Sequence, residues 1–262
     1  MLYLEYPPSG SRMQPMGIME RDRQRLVGAV RSAVEEYRMI EPGDRIAVGL
    51  SGGKDSLALL YALSKLRAYH SVPFDLVAVT VDLGFPDTDY SRVEAYVASL
   101  GVPFRLEPSK IGPIVFDARK EPNPCALCSR LRRGVLHHAA KELGCTRVAL
   151  GHTRDDAVET LLMAMFYEGR IHCFEPVSYL TRTNLTLIRP LLLVKEEEIL
   201  ALVGDLGLPV LPSPCPAAGT TSRRRVEDLL AGLMEDDPHV SDRVFGALRS
   251  SGIDGWKRPA SP

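Results

Sequence analysis

The sequence predicts an α/β fold: a parallel sheet covered by helices on both faces, with an N-terminal helix and a small C-terminal helical extension. Three observations carry that expectation. The apolar run Ile46-Ala47-Val48 leads through a glycine loop at 49–56 into a helical pattern, Leu57-Ala58-Leu59-Leu60-Tyr61-Ala62-Leu63. Residues 74–81 form a second run, apolar except for Asp75 and Thr80, as a strand buried on both faces would. Further strand and helix patterns then alternate, which is the order of βαβ units in a parallel sheet.

In chain order, residues 1–16 hold three prolines and little periodicity, and read as a loose arm. Residues 18–39 form an amphipathic helix with Leu26, Val27, Val30, Val34 and Tyr37 on one side. Its Arg21, Arg23, Arg25 and Arg31 make a basic face, either a solvated surface or a polynucleotide contact. Glu41-Pro42-Gly43-Asp44 is a turn, and 45–50 is the first strand. The strand at 74–81 ends in Asp82; a helix at 89–100 and a short strand at 104–106 follow. A fourth strand is expected at 147–151 and a helix at 157–166. Residues 185–194 read as a last strand running into a helix that starts near Lys195. Residues 208–216 are proline-rich and irregular, and 222–234 and 238–250 are two more helical patterns before a polar tail. The organisation expected is an arm and helix at 1–40, an α/β domain at 41–212, and a helical segment at 213–262.

Composition narrows the class. Hydrophobic residues at 45% and charged residues at 25% are ordinary for a water-exposed globular chain. A net charge of −1 gives no global signature of nucleic-acid binding, so a polynucleotide would be held by local patches. No run of 18 apolar residues predicts a membrane span, and the N-terminus lacks the apolar core of a secretory signal. Five cysteines, an odd number in a chain this long, fit a reducing compartment better than a disulfide framework. A cytoplasmic enzyme with no membrane association is expected.

The loop Gly49-Leu50-Ser51-Gly52-Gly53-Lys54-Asp55-Ser56 joins strand to helix, which builds an anion site from backbone N–H groups and the helix dipole. Gly52 and Gly53 permit close approach of an oxygen. Ser51 and Ser56 add hydroxyls, and Lys54 a positive charge. It is not a Walker A loop, which would need Gly at position 48 and Ser or Thr at 55, where this chain has Val48 and Asp55. An aspartate beside phosphates makes sense with Mg²⁺ between them. The segment Gly151-His152-Thr153-Arg154-Asp155-Asp156 also falls at the carboxyl end of a strand, where such folds bind ligands. Thr153 with Asp156 fits a capping box.

Cys125-Ala126-Leu127-Cys128 sits at the opening of a helix expected at 129–143. Two thiols so placed are expected to have lowered pKa values and to share a metal. A redox pair fits poorly without a thioredoxin-like strand context. Cys215, in the proline-rich loop, is a third candidate. Three cysteines suit an iron–sulfur cluster with one open iron, or Zn²⁺ with His137, His138, His152 or His172 as fourth ligand; spacing leaves both open. Cys145 and Cys173 lack partners at ligand spacing and read as structural.

Residues Ser51-Gly52-Gly53-Lys54-Asp55-Ser56 resemble the PP-loop of ATP pyrophosphatases, adenine nucleotide α-hydrolase-like and Rossmann-like in fold. Those enzymes cleave ATP between its α- and β-phosphates and adenylylate a substrate oxygen. Together with the cysteine segment Cys125 to Gly134, the segment Gly151 to Asp156, and Arg189-Pro190-Leu191, the pattern is similar to the TtcA family of tRNA 2-thiocytidine synthetases over roughly residues 20–250. The resemblance implies thiolation of C2 of the cytidine at position 32 of the anticodon loop. It implies ATP at the PP-loop, Mg²⁺ held by Asp55 and Asp156 as the catalytic acids, and a [4Fe–4S] cluster on Cys125, Cys128 and Cys215. Val79 and Asp82, at the end of the second strand, would lie against the nucleoside, with Gly151 and His152 opposite. Arg130, Arg132 and Arg133 on the cysteine helix, and Arg223, Arg224 and Arg225 after Cys215, would converge on one RNA-binding mouth if the cysteines meet. The expected partners are tRNA and a sulfur donor such as a cysteine desulfurase, with a homodimer as the expected assembly. Two departures stand out. The segment after Cys215 reads Pro-Ala-Ala-Gly-Thr-Thr-Ser-Arg-Arg-Arg where better-studied members carry a shorter Cys-Gly-Ser-Gln type. The cysteine-rich N-terminal ribbon of the uridine-thiolating relatives is missing, which favours the cytidine branch.

Overall fold

A computed structural model describes residues 16–119, 124–212, 215–216 and 222–256, with no side chains described at 16–19. Of the expected loose arm at 1–16 all but Met16, and of the departing segment after Cys215 residues 217–221, lie outside the described residues. Six strands make one sheet in the order β3-β2-β1-β4-β6-β5: β1 (Arg45–Leu50), β2 (Asp75–Asp82), β3 (Phe104–Pro108), β4 (Arg147–Ala149), β5 (Val177–Leu180) and β6 (Leu185–Ile188). All neighbours run parallel except the β5–β6 hairpin.

The helices are α1 (Met16–Glu36), α2 (Lys54–Arg67), α3 (Ser91–Ser99), α4 (Pro124–Glu142), α5 (Arg154–Glu168), α6 (Glu196–Val203), α7 (Ser222–Asp236) and α8 (Val240–Ser251). None is long and apolar enough to cross a membrane. A π-helical turn at Pro113–Ala118 follows β3. Neither that turn nor β5 is expected from the sequence. Val177-Ser-Tyr-Leu is a short edge strand paired on one side, too short for its periodicity to stand out. The expected strand at 185–194 stops at Ile188, and α4 begins at Pro124 rather than 129, so both CxxC cysteines lie in its first turns.

Alternation along the strands divides the core in two. Ile46, Val48, Leu50, Leu76 and Ala78 face one apolar cluster with α1, α2 and the C-terminal helices, while Ala47, Val77, Val79 and Val148 face another with α4. The first cluster runs from Leu26 in α1 to Phe245 and Leu248 in α8, so both terminal segments share the core of the sheet domain. Two of the α1 arginines reach other parts of the chain: Arg23 donates to the Asp205 carbonyl at 2.5 Å, and Arg25 pairs with Glu198 at 3.0 Å.

After β1 the chain moves outward through β2 and β3, then returns to β4 on the opposite side of β1. The adjacent carboxyl ends of β1 and β4 are thus a topological switch point, where a crevice opens in such sheets. The loops at 51–53 and 150–153 leave the sheet there.

Candidate functional site

The first wall of the crevice is the loop between β1 and α2. Gly52 takes φ +80°, and Gly53 caps α2 with no side chain closing its first N–H groups, so those amides face outward as an anion cradle. The serines brace the loop. Ser51 N donates to Ser56 Oγ at 3.1 Å, and Ser56 Oγ donates to the Gly53 carbonyl at 2.9 Å. Lys54 lies between Asp55 (3.0 Å) and Glu196 (2.6 Å). Burial works against its charge, but the hydrogen bond and charge of Glu196, with Asp55, outweigh it and raise its pKa. Burial also raises Asp55, against the pull of Lys54 and with the nearby charges of Glu196 and Asp156 adding to it. Asp55 Oδ1 is buried without a hydrogen-bond partner.

The second wall is the loop after β4. Gly151 approaches so closely that a Cβ there would stand 3.1 Å from Asp55 C and Ser56 N. The capping box forms: Asp156 Oδ2 accepts from Thr153 N at 2.8 Å while Thr153 Oγ1 accepts from Asp156 N at 3.3 Å. The other oxygen of Asp156 takes the Arg223 guanidinium, which also reaches Glu159 at 3.4 Å. Burial pushes Asp156 up, but the Thr153 amide, Arg223 and His152 together hold it below the usual carboxylate range. Glu159 is pushed up to about 8 by burial, despite Arg223. Arg223 therefore answers the charge of Asp156, while burial favours the protonated form of Glu159. Asp155 turns away and accepts from Glu196 N at 2.7 Å.

His152 stacks on Phe174 with centroids 4.9 Å apart, and Arg189 Nε donates to its Nδ1 at 3.2 Å. Burial and the Arg189 charge bring its pKa down to about 4, so the ring is neutral with its proton on Nε2. Arg189 itself sits over Phe174 at 5.0 Å and bonds the Glu175 carbonyl. Trp256, wholly buried, supports this stack through Nε1 to the Phe174 carbonyl at 2.8 Å.

A cavity of about 250 Å³ lies between the walls, lined by Gly49, Leu50, Ser51, Asp55, Ser56, Val79, Gly151 and His152 among others. Asp82 is not among its lining residues. Its carboxylate accepts from Gly84 N at 3.0 Å and from the Tyr90 hydroxyl, shaping the loop after β2 instead. Val79 is placed by register, opposite Gly49 across the β1–β2 pair.

Next to it lies a second cavity, about 340 Å³, lined by Cys125, Cys128 and Cys215 together with Ser51, Gly53, Phe85, Phe116 and Arg132. Cys215 is brought there because Leu211 N donates to the Gly52 carbonyl at 2.9 Å and its side chain covers the positive-φ glycine. Burial raises the Cys128 thiol, with Arg132 pulling it down and the neighbouring cysteines pushing it up. That reverses the lowered value expected for it from the helix N-terminus. No histidine lines this cavity among the described residues. His138 pairs with Glu142, His172 with Asp254, and His152 stands in the other cavity. Among the described residues, no three His, Cys, Asp or Glu side chains close around a single ion. Cys145 and Cys173 are buried elsewhere, Cys173 against the Ala157 carbonyl.

The arginines divide. Arg130, Arg132 and Arg133 are exposed on α4, and Arg132 lines both cavities while Arg133 lines the first. Arg223 turns inward to Asp156, Arg224 pairs with Glu227 and Asp228 on its own helix, and Arg225 is exposed. The sequence did not single out Glu196, Phe85, Phe116 or Tyr90. The Glu196-Glu197-Glu198 run opening α6 was the one local signal for the first of these.

The PP-loop domain family matches residues 24–210. A tRNA-cytidine(32) 2-sulfurtransferase of Pelobacter propionicus is 42% identical over 86% of this chain and 85% of its own. One from Geobacter sulfurreducens is 39% identical over 86% and 89%, and one from Neisseria meningitidis 39% over 87% and 72%. Among solved structures, the U34-tRNA thiolase NcsA from Methanococcus maripaludis, with its [4Fe-4S] cluster, superposes with TM-score 0.71 at 24% identity, covering 87% of this chain and 78% of that one. That likeness is one of fold.

Proposed function

The chain belongs to the PP-loop family and, within it, to the tRNA-cytidine(32) 2-sulfurtransferases, and from that premise we propose how its residues divide the work. The reaction is ATP-dependent replacement of the C2 oxygen of cytidine 32 in tRNA by sulfur. The observation that carries the assignment of residues is the shared wall: Ser51, Leu83, Tyr90, Ser129 and Arg132 line both the phosphate-loop cavity and the cysteine cavity. Activation and sulfur delivery must reach the same carbon, and adjoining cavities permit that without moving the base.

The triphosphate lies on the outward amides of α2 and the loop at 51–53, and the adenosine beside Val79, Gly151 and His152. The buried, unpartnered Oδ1 of Asp55 fits a cation. Asp55 and Asp156 would hold Mg²⁺, which would supply positive charge to offset the phosphates. The substrate C2 oxygen attacks the α-phosphorus and pyrophosphate leaves. Sulfide then bonds to C2, and AMP leaves with the original oxygen. His152, neutral with Nε2–H, donates to the nucleotide.

Three thiols lining one cavity fit a [4Fe–4S] cluster, and no histidine lines it to complete a zinc site among the described residues. Cys125, Cys128 and Cys215 would hold the cluster, which would supply the chemistry of sulfur delivery when bound. The exposed arginines Arg130, Arg133 and Arg225 contact tRNA phosphates, and Arg132, on the wall between the cavities, faces the base. A separate sulfur donor such as a cysteine desulfurase, a cytoplasmic setting and a homodimer complete the reading.

The test is anaerobic purification of wild type and Cys215→Ala, with iron, sulfide and zinc analysis and mass spectrometry of nucleosides from treated tRNA. About four irons per chain in wild type, lost in the variant together with 2-thiocytidine, is the expected result. One zinc and no iron would overturn the cluster assignment.

A further inference from the structure

The cysteine cavity has a side that neither the cluster nor ATP uses. Phe85 and Phe116, half-buried, line it with Thr88, next to the wall of Tyr90, Ser129 and Arg132 that it shares with the phosphate-loop cavity. Their ring centroids are 5.9 Å apart and tilted by 49°. A base inserted between two rings needs about 7 Å, twice a van der Waals contact, so the pair acts as one wall.

Both rings are held in place by backbone. A Cβ at Gly112 would stand 2.9 Å from Phe85 Cε1, so only a glycine lets the ring lie there. Gly112 N donates to the Leu83 carbonyl at 2.7 Å, fastening the loop after β2 to the π-helical turn that carries Phe116. Thr88 Oγ1 bonds the Phe85 carbonyl at 3.3 Å, and Tyr90 bonds Asp82. Phe116 rests one side on the core cluster around Val115, while Phe85 packs against neither core cluster, so the pair turns an aromatic face to the cavity.

We propose that Phe85 and Phe116 form the seat on which the extruded cytosine stacks, with its O2 and N3 edge toward Ser129 and Arg132. The inference rests on the thiolation reading above and adds the place of the base. Three features select this occupant. The cavity adjoins the phosphate loop through Ser51 and Gly53, it holds the three thiols, and its free wall is aromatic. A reacting base in an RNA loop is turned out and stacked on such rings. Arg132 and Ser129, on the wall common to both cavities, donate hydrogen bonds to the acceptor atoms beside C2. The adenosine has its own cavity on the side of Val79 and His152.

The experiment compares wild type, Phe116→Ala, Phe116→Tyr and Phe85→Ala as reconstituted holoenzymes. It measures kcat/KM for tRNA thiolation, iron content, affinity for a non-hydrolysable ATP analogue, and the fluorescence of tRNA carrying pyrrolocytidine at position 32. Wild type is expected to quench the probe by stacking. Phe116→Ala is expected to lose the quench and to drop in kcat/KM by roughly 5- to 150-fold, with iron and analogue affinity retained. Phe116→Tyr restores both, and Phe85→Ala gives a smaller loss. Unchanged kcat/KM and quenching in both alanine variants overturns the seat. So does a loss of activity that tracks loss of iron in the alanine and tyrosine variants alike, since the rings would then only wall the cluster. Wild type that forms no 2-thiocytidine would instead sink the thiolation reading itself.

Discussion

Replacing Gly151 by alanine tests the close approach that joins the two walls of the site. The added Cβ would stand 3.1 Å from Asp55 C and Ser56 N and 3.2 Å from Ser56 Cα. These are backbone atoms in the first turn of α2, where no side chain can swing aside. Overpacking of this kind costs about 1–3 kcal/mol. For a chain of this size that lowers Tm by roughly 2–10 °C. The shifted turn carries the outward amides that cradle phosphate, so affinity for a non-hydrolysable ATP analogue falls about tenfold for each 1.4 kcal/mol borne by the loop. Gly28→Ala is the matched control. Nothing lies within 4 Å of a Cβ there, within α1. It is expected to raise stability by about 0.5–1 kcal/mol through helix propensity, with analogue affinity unchanged. Calorimetric melting and isothermal titration of the three proteins read both quantities. A Gly151→Ala protein that melts within a degree of wild type and binds the analogue equally would refute the close-approach argument.

Three further outcomes follow from the same geometry. Glu159 has its folded pKa raised to about 8 from an ordinary 4.5, so the stability it contributes is present below the lower value and lost as pH rises through the higher. Glu159→Gln, which imitates the protonated acid, is expected to match wild type in Tm near pH 4 and to exceed it at pH 9; equal melting at pH 9 would show that Arg223 keeps the carboxylate charged. Trp256→Ala removes a wholly buried ring and the hydrogen bond to the Phe174 carbonyl, and is expected to cost about 3–5 kcal/mol by urea denaturation and to weaken ATP-analogue binding through the His152 stack. Cys145→Ala, remote from the thiol cavity, is expected to keep the wild-type iron content after anaerobic reconstitution, whereas iron loss there would break the three-cysteine assignment.

Much of the architecture was legible because the determinants are local. A strand buried on both faces must be largely apolar, and β2 is from Leu76 to Val81 except for Thr80; a phosphate loop must have glycine where φ is positive, and Gly52 is there. The hairpin strand β5 was not legible, since an edge strand of four residues carries too little pattern. The expectation that Arg223 faces RNA with its neighbours did not anticipate its inward turn, because its partner Asp156 is 67 residues away along the chain and adjacent only once α7 packs on α5. The Cys128 thiol was misjudged for a related reason. The helix N-terminus was visible in sequence, but the burial that raises the thiol was not.

By itself, the sequence determined which chemistry this protein carries: a phosphate loop with an aspartate in it, three candidate thiols, and glycines where backbone must approach backbone. These are properties of residue type and of neighbours a few positions apart. Only the tertiary structure decided which groups share a cavity. It paired Lys54 with Glu196 and Asp156 with Arg223, left Asp55 Oδ1 without a partner, and set two phenylalanines beside the thiols. Charge, desolvation and stacking depend on distance through space, and the crossing of the chain from β3 back to β4 is what sets those distances.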